Sequence, residues 1–160
     1  MLITQGGRFA GYGFYLLKGK PVFTWNLVDL KRIRWESSEA LPPGKHVLEF
    51  DFKYDGLGMG TLAFDNVSGI GRGGTGTLKV DGKVVAEQKM EQSLPITLAW
   101  DESLDVGSDT GTPVDDNDYK VPFAFTGKIS KITLTIDRPK LTPEDEKKLG
   151  EAQRNLKISR

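Results

Sequence analysis

The sequence predicts an all-β chain: an antiparallel two-sheet β-sandwich with one C-terminal α-helix. Three observations predict it. Short apolar-alternating runs recur along residues 8–137, separated by turn residues. These runs never alternate with helical patterns, which argues against a parallel α/β sheet. The apolar period changes to that of a helix only after Arg138-Pro139.

The central element is a hairpin. Residues 75–80 are rich in Thr, Leu and Val, and residues 84–90 form a second alternating run. Asp81-Gly82 between them is a strong turn signal, because Gly adopts positive φ freely and Asp tolerates it. Leu78 and Val80 are expected on one face, Thr77 and Lys79 on the other. Such a ribbon is not stable alone and requires further strands and a second layer.

From the start of the chain, residues 8–18 carry Phe9, Tyr12, Phe14, Tyr15, Leu16 and Leu17, broken by Gly11 and Gly13. This reads as a long strand with a glycine-marked bulge or close backbone contact. Lys18-Gly19-Lys20-Pro21 turns the chain and residues 22–26 return, so 8–26 form a first hairpin. Residues 27–31 are ambiguous; 33–36 resume strand character. Leu41-Pro42-Pro43-Gly44 is a stiff turn. From 46 to 54 the alternation is strict, with His46, Leu48, Phe50, Phe52 and Tyr54 on one face and Val47, Glu49, Asp51 and Lys53 on the other. Residues 55–74 are a glycine-punctuated connection whose apolar residues suggest a packed loop.

Beyond the central hairpin, residues 94–100 and 120–125 read as extended. Residues 128–137 read as another strand, with Ile132, Leu134 and Ile136 inward. Thr142-Pro143-Glu144-Asp145 then has a helix start: an N-cap, Pro at the first helical position and acids in the first turn. Leu149, Ala152 and Leu156 make a narrow apolar stripe. Residues 1–140 are thus expected to be the sandwich, of jelly-roll type, and 141–160 a helix packed on it or extending from it.

Composition narrows the function classes. The 160 residues suit one domain burying roughly 70% of its unfolded surface. Charges balance at 22 against 22, which gives no whole-chain reason to expect nucleic acid or an anionic membrane as partner. The absence of Cys excludes disulfides, thiolate metal sites and cysteine nucleophiles. No apolar run has the length of a membrane span, and Met1-Leu2-Ile3-Thr4-Gln5 does not read as a signal peptide.

Five blocks carry a family resemblance. They are Gly6-Gly-Arg-Phe-Ala-Gly-Tyr-Gly-Phe-Tyr-Leu-Leu-Lys-Gly-Lys-Pro-Val-Phe-Thr-Trp-Asn26, Leu41-Pro-Pro-Gly-Lys-His-Val-Leu-Glu-Phe-Asp-Phe52, Gly73-Gly-Thr-Gly-Thr-Leu-Lys-Val-Asp-Gly82, Asp105-Val-Gly-Ser-Asp-Thr-Gly-Thr-Pro-Val114 and Val121-Pro-Phe-Ala-Phe-Thr-Gly127. In order and content they resemble the C-terminal domain of bacterial arylsulfatases, a sulfatase family of sulfuric ester hydrolases. The resemblance implies a β-sandwich following an alkaline-phosphatase-like catalytic domain, in a periplasmic or extracellular setting. It also implies a catalytic Cys or Ser in a Cys/Ser-x-Pro-x-Arg motif, which this chain lacks: Ser93-Leu94-Pro95 continues Ile96-Thr97. What carries over is an accessory role, with a sulfatase catalytic domain as partner, in cis or as a separate chain.

The acidic stretch is the strongest candidate for chemistry. Residues 101–119 hold Asp101, Glu102, Asp105, Asp109, Asp115, Asp116 and Asp118 without Lys or Arg. Seven like charges repel, and Ca²⁺ would neutralise them with six to eight oxygen ligands; Asp101, Asp105, Asp109, Asp115, Asp116 and Asp118 are the candidate ligands. The spacing is not that of an EF-hand. The alternatives are a solvated loop with local Asp and Asn turns, or a docking surface for another domain. No cofactor is required.

Trp25, Trp35, Trp100, Tyr12, Tyr15 and Tyr54 would make a sugar-stacking platform if exposed; otherwise they fill the core. Arg72, Trp25, Trp35, Trp100 and Tyr119 are the candidate contacts to a ligand or a neighbouring domain. Residues 69–76 superficially resemble a phosphate loop, but they lack the Lys-Ser/Thr ending and precede a strand. His46, the single histidine, is read as a structural hydrogen-bonding residue. Three functions are therefore weighed: an accessory domain of an arylsulfatase-type enzyme, a free-standing carbohydrate-binding module for sulfated glycans, and a hydrolase with a carboxylate pair such as Glu49 and Asp51.

Overall fold

Two residues of left-handed backbone set the first hairpin. Lys18 (φ 50°) and Gly19 (φ 81°) link β2 (Ala10–Leu17) to β3 (Lys20–Leu27). In this computed structural model β1 (Ile3–Gly6) lies on the far side of β2, and β4 (Lys31–Glu36) beyond β3. The described residues are 1–55, 71–93 and 102–136, with isolated positions 143, 147, 150, 151 and 154.

The second hairpin has the same kind of turn. Asp81 (φ 50°) and Gly82 (φ 80°) join β6 (Gly71–Val80) to β7 (Lys83–Ser93), as the Asp-Gly signal requires. With β5 (Leu48–Tyr54) they form an antiparallel sheet in the order β5-β6-β7. A register shift interrupts the β6–β7 ladder between Leu78 and Lys79.

The chain is mostly β and its sheets are antiparallel. In register, Phe14 pairs with Phe23 and Phe23 with Trp35, so one face of the first sheet carries a row of rings. That row meets the three-stranded sheet: Phe23 stacks on Phe50 at 3.5 Å between ring centroids, and Trp35 meets Phe50 edge-on at 5.0 Å. Ile3, Phe14, Trp35, Leu78 and Met90 form the buried cluster between them. Each such large side chain contributes roughly 1.5–3 kcal/mol by leaving water.

Gly76 explains the glycine run that resembles a phosphate loop. A Cβ there would lie 2.5 Å from the Trp35 ring and 2.8 Å from the Phe50 ring. The position is within β6, and it is small because two rings cross it.

The first sheet is covered on its other face as well. Tyr15 and Val22, paired across β2 and β3, are fully buried against Met1 and Tyr119, with Leu17, Val121 and Phe123 around them. Met1, the acidic stretch and the residues just after it supply this cover. The acidic stretch adds strands of its own. It contains β8 (Leu104–Val106), which pairs with β1 as the edge of a five-stranded sheet β4-β3-β2-β1-β8. It also contains β9 (Ser108–Asp109), which pairs with β10 (Phe123–Ala124).

Several sequence expectations are corrected. β1, β8 and β9 are strands where none was read. The strand read from His46 begins at Leu48. Residues 128–136 join no ladder among the described residues: Ile132 packs on the core, but Leu134 and Ile136 are 58% and 87% exposed rather than inward. Of the helix expected over 141–160, the isolated described positions 143, 147, 150, 151 and 154 are helical, and the remaining positions lie outside the described residues. The expected strand at 94–100, and 56–70 of the expected loop, also lie outside them.

Candidate functional site

β4 explains why the acidic stretch folds as it does. Arg32 and Arg34 alternate with Ile33 and Trp35, so when the apolar pair enters the core both guanidinium groups face the other side. There they meet the acids that lack bases of their own. Arg32 pairs with Asp115 at 3.3 Å, with Asp116 at 2.7 Å and with Asp29. Arg34 pairs with Glu36 at 2.9 Å, with Asp118, and more distantly with Asp115 at 3.9 Å.

Local turn chemistry orients the carboxylates. Asp115 accepts from the Asn117 backbone N–H at 3.1 Å, and the Asp118 N–H donates to the Asp115 carbonyl at 3.2 Å. This turn aims Asp118 inward, where it accepts from both Arg34 and the Tyr15 hydroxyl. The same Tyr15 oxygen is 3.0 Å from Thr24 Oγ1. Burial, then the bond to Asp118, pushes the Tyr15 phenol well above its ordinary value.

A second carboxylate–phenol pair lies deeper. Tyr119 donates to Asp109 at 2.6 Å and accepts from the Val114 N–H at 3.0 Å. Asp109 is 1% exposed. Its carboxyl is pushed up by burial; the bonds from Tyr119 and the Gly111 N–H oppose this, and the charges of Glu102 and Asp105 reinforce it. Glu102 accepts from Thr112 and Asp105 from Thr110, each from backbone N–H and hydroxyl. These three acids border a cavity of about 160 Å³ shared with Thr4, Gly6 and Thr110. Among the described residues no three His, Asp or Glu side chains are grouped to hold a metal ion. Asp101 lies outside the described residues.

The other candidates separate. Trp35 and Tyr119 are core residues, and Trp25 is half-buried against the same core as Trp35. Tyr12 stacks on Phe23 at 5.6 Å. Trp100 lies outside the described residues. Arg72 sits on β6 opposite Gln92, and nothing is described of its side chain. Glu49 and Asp51 lie side by side on β5, exposed, and both accept from Lys79, Glu49 at 2.8 Å.

Sequence reasoning missed Arg32 and Arg34. The run Lys31-Arg-Ile-Arg-Trp-Glu36 places charges at alternate positions of a strand whose other face is apolar, which signals a charged partner across the sheet. Between β4 and β7 a polar groove of about 350 Å³ is lined by Lys31, Arg32, Arg34, Gln88, Lys89 and Glu91. Gln88 ties its walls: its amide donates to the Arg34 carbonyl at 2.5 Å, and its own carbonyl accepts from Trp35 Nε1 at 3.3 Å. The Arg32 Nε is buried with no acceptor among the described residues.

Comparison with protein-family models, with curated proteins and with solved structures gives no match to this chain.

Proposed function

We propose that the chain is a non-catalytic accessory domain of an arylsulfatase-type enzyme. In this reading it is a two-sheet β-sandwich that packs on a sulfatase catalytic domain and shapes its substrate entrance. The observation that carries the reading is the engagement of the acidic stretch. Each of its described carboxylates has a partner within the chain: Arg32, Arg34, a tyrosine hydroxyl, a threonine, or a nearby backbone or amide N–H. Acids used in this way fix a scaffold and are poor candidates for proton transfer or nucleophilic attack.

Two further points support it. The five sequence blocks that resemble arylsulfatase C-terminal domains fall largely on the elements that build the two sheets. β8, an edge strand within the acidic stretch, exposes Leu104 (43%) and Val106 (56%), and an apolar edge unpaired among the described residues suits a neighbouring domain. We assign the contact to this edge. The carbohydrate-binding alternative has less support, because Trp35, Tyr15 and Tyr119 are buried.

The test mixes this chain with a sulfatase polypeptide truncated after its catalytic domain and follows the complex by sedimentation. A one-to-one complex is expected, weakened at least tenfold by Leu104→Lys with Val106→Lys. Absence of a complex overturns the docking role. Hydrolysis of an aryl sulfate by this chain alone overturns the non-catalytic one.

A further inference from the structure

We propose that His46 is a pH-sensitive latch: as the imidazolium it ties the 41–45 turn to the tip of the β6–β7 hairpin, and on deprotonation it releases that corner. The geometry carries the proposal. His46 Nδ1 lies 2.8 Å from an Asp81 carboxylate oxygen, and Nε2 lies 2.9 Å from the Pro42 carbonyl oxygen. Neither partner donates when Asp81 is ionised. A neutral imidazole has one N–H, so each neutral tautomer leaves a nitrogen lone pair facing an acceptor. Only the doubly protonated ring satisfies both contacts.

Asp81 extends the latch to the strand. Its other carboxylate oxygen accepts from the Val47 N–H at 2.8 Å, and its own N–H donates to the Val47 carbonyl at 2.8 Å. One carboxylate thus holds the residue before β5 and the imidazole together. Among the described residues Asp81 is the charged group bonded to the ring. From the 41–45 turn the ring meets the Pro42 carbonyl and approaches Gly44. Lys45, the adjacent residue, and Lys83, at the start of β7, are the neighbouring cations in sequence, and neither bonds the ring.

The electrostatics agree. The bond to Asp81, then the Pro42 carbonyl, raises the His46 pKa above the ordinary 6.5. The Val47 N–H, then His46, holds the Asp81 carboxyl below the ordinary 3.8. For the raised histidine, the stabilisation is complete below 6.5 and is lost as pH rises through the folded value. For the lowered aspartate, it is present above 3.8 and is lost as pH falls through the folded value. The latch is therefore closed between the two folded values.

The single histidine makes the test direct, since every imidazole signal is His46. Long-range ¹H–¹⁵N spectra of the intact chain are expected to show both ring nitrogens protonated at pH 6.5, and the titration midpoint above 6.5. Asp81→Asn, whose side chain tolerates the positive φ of the turn, is expected to lower that midpoint. A single neutral tautomer at pH 6.5, a midpoint at or below 6.5, or a midpoint unmoved by Asp81→Asn overturns the proposal.

Discussion

Tyr119 donates its hydroxyl hydrogen to Asp109 at 2.6 Å, and both residues are buried members of the acidic stretch that face the sheet. The pair anchors the cover over the second face of the five-stranded sheet. Tyr119→Phe strands an Asp109 oxygen and the Val114 N–H, at about 1–3 kcal/mol for each unsatisfied group. Urea unfolding should register that loss. A change within experimental error would show that the pair is not an anchor.

Asp109 also gives stability a defined pH dependence. Its folded pKa is raised above the ordinary 3.8, chiefly by burial, so ionising it in the folded state costs stability. The stabilisation is fully present below 3.8 and is lost as pH rises through the folded value. The stability difference between the natural chain and Asp109→Asn should therefore shift toward the natural chain as pH falls through that value, and level off below 3.8. Denaturant midpoints measured across this range check the sign; a flat difference or the opposite trend refutes it.

The acidic stretch as a whole gives the third expectation. Arg34→Gln leaves Asp118, whose side chain is 11% exposed, with Tyr15 but no cation among the described residues. A loss of about 1–3 kcal/mol follows for a partly buried charge that keeps one hydrogen bond. In the natural chain Arg32 and Arg34 already supply positive charge to Asp115, Asp116 and Asp118, so millimolar Ca²⁺ should gain little at these three carboxylates and leave the thermal midpoint in place. A midpoint that climbs with Ca²⁺ concentration would support the metal reading, because a ligand selective for the folded state stabilises it by mass action.

Whatever depended on local period and turn chemistry was legible in the sequence. The two hairpins around Lys18-Gly19 and Asp81-Gly82, and the alternation of Leu48 and Phe50 with Glu49 and Asp51, could be read because side-chain direction repeats every second residue. The acidic stretch was not legible, because its bases lie some eighty residues earlier on β4 and a charge count along the chain cannot see across a sheet. Residues 128–136 misled for a related reason. Alternation marks a segment suited to a ladder, but the ladder also needs a partner strand, and none pairs with it among the described residues. The glycines of 69–76 resembled a phosphate loop because the rings that keep Gly76 small come from β4 and β5, out of sight of the local sequence.

The turn between β3 and β4 contains strain that substitution can remove. Val28 (φ 48°) and Asp29 (φ 59°) are both left-handed, and the Leu30 N–H closes the turn on the Leu27 carbonyl at 2.8 Å. This turn favours Asn and Gly, whereas a β-branched residue crowds its own backbone there. Val28 is partly exposed, so little burial is lost by replacing it. Val28→Asn should stabilise the chain by about 1 kcal/mol, read as a higher thermal midpoint. A lower midpoint would mean that the valine side chain stabilises the turn by more than its strain costs.

Gly76 gives the sharpest test of how the two sheets meet. The Trp35 and Phe50 rings occupy the space that a methyl group would need. Neither ring can move freely: Trp35 is 1% exposed and donates to the Gln88 carbonyl, while Phe50 is stacked on Phe23. Gly76→Ala must therefore force the sheets apart or push a ring off its rotamer, at about 1–3 kcal/mol. The effect should be on the unfolding midpoint, with the denaturant slope unchanged, because the surface exposed on unfolding is nearly the same. Combining Gly76→Ala with Trp35→Phe, which shortens the ring at the point of contact, should cost less than the sum of the two single changes. Strict additivity would mean that Trp35 does not lie over Gly76, and the shared core between the sheets would have to be redrawn.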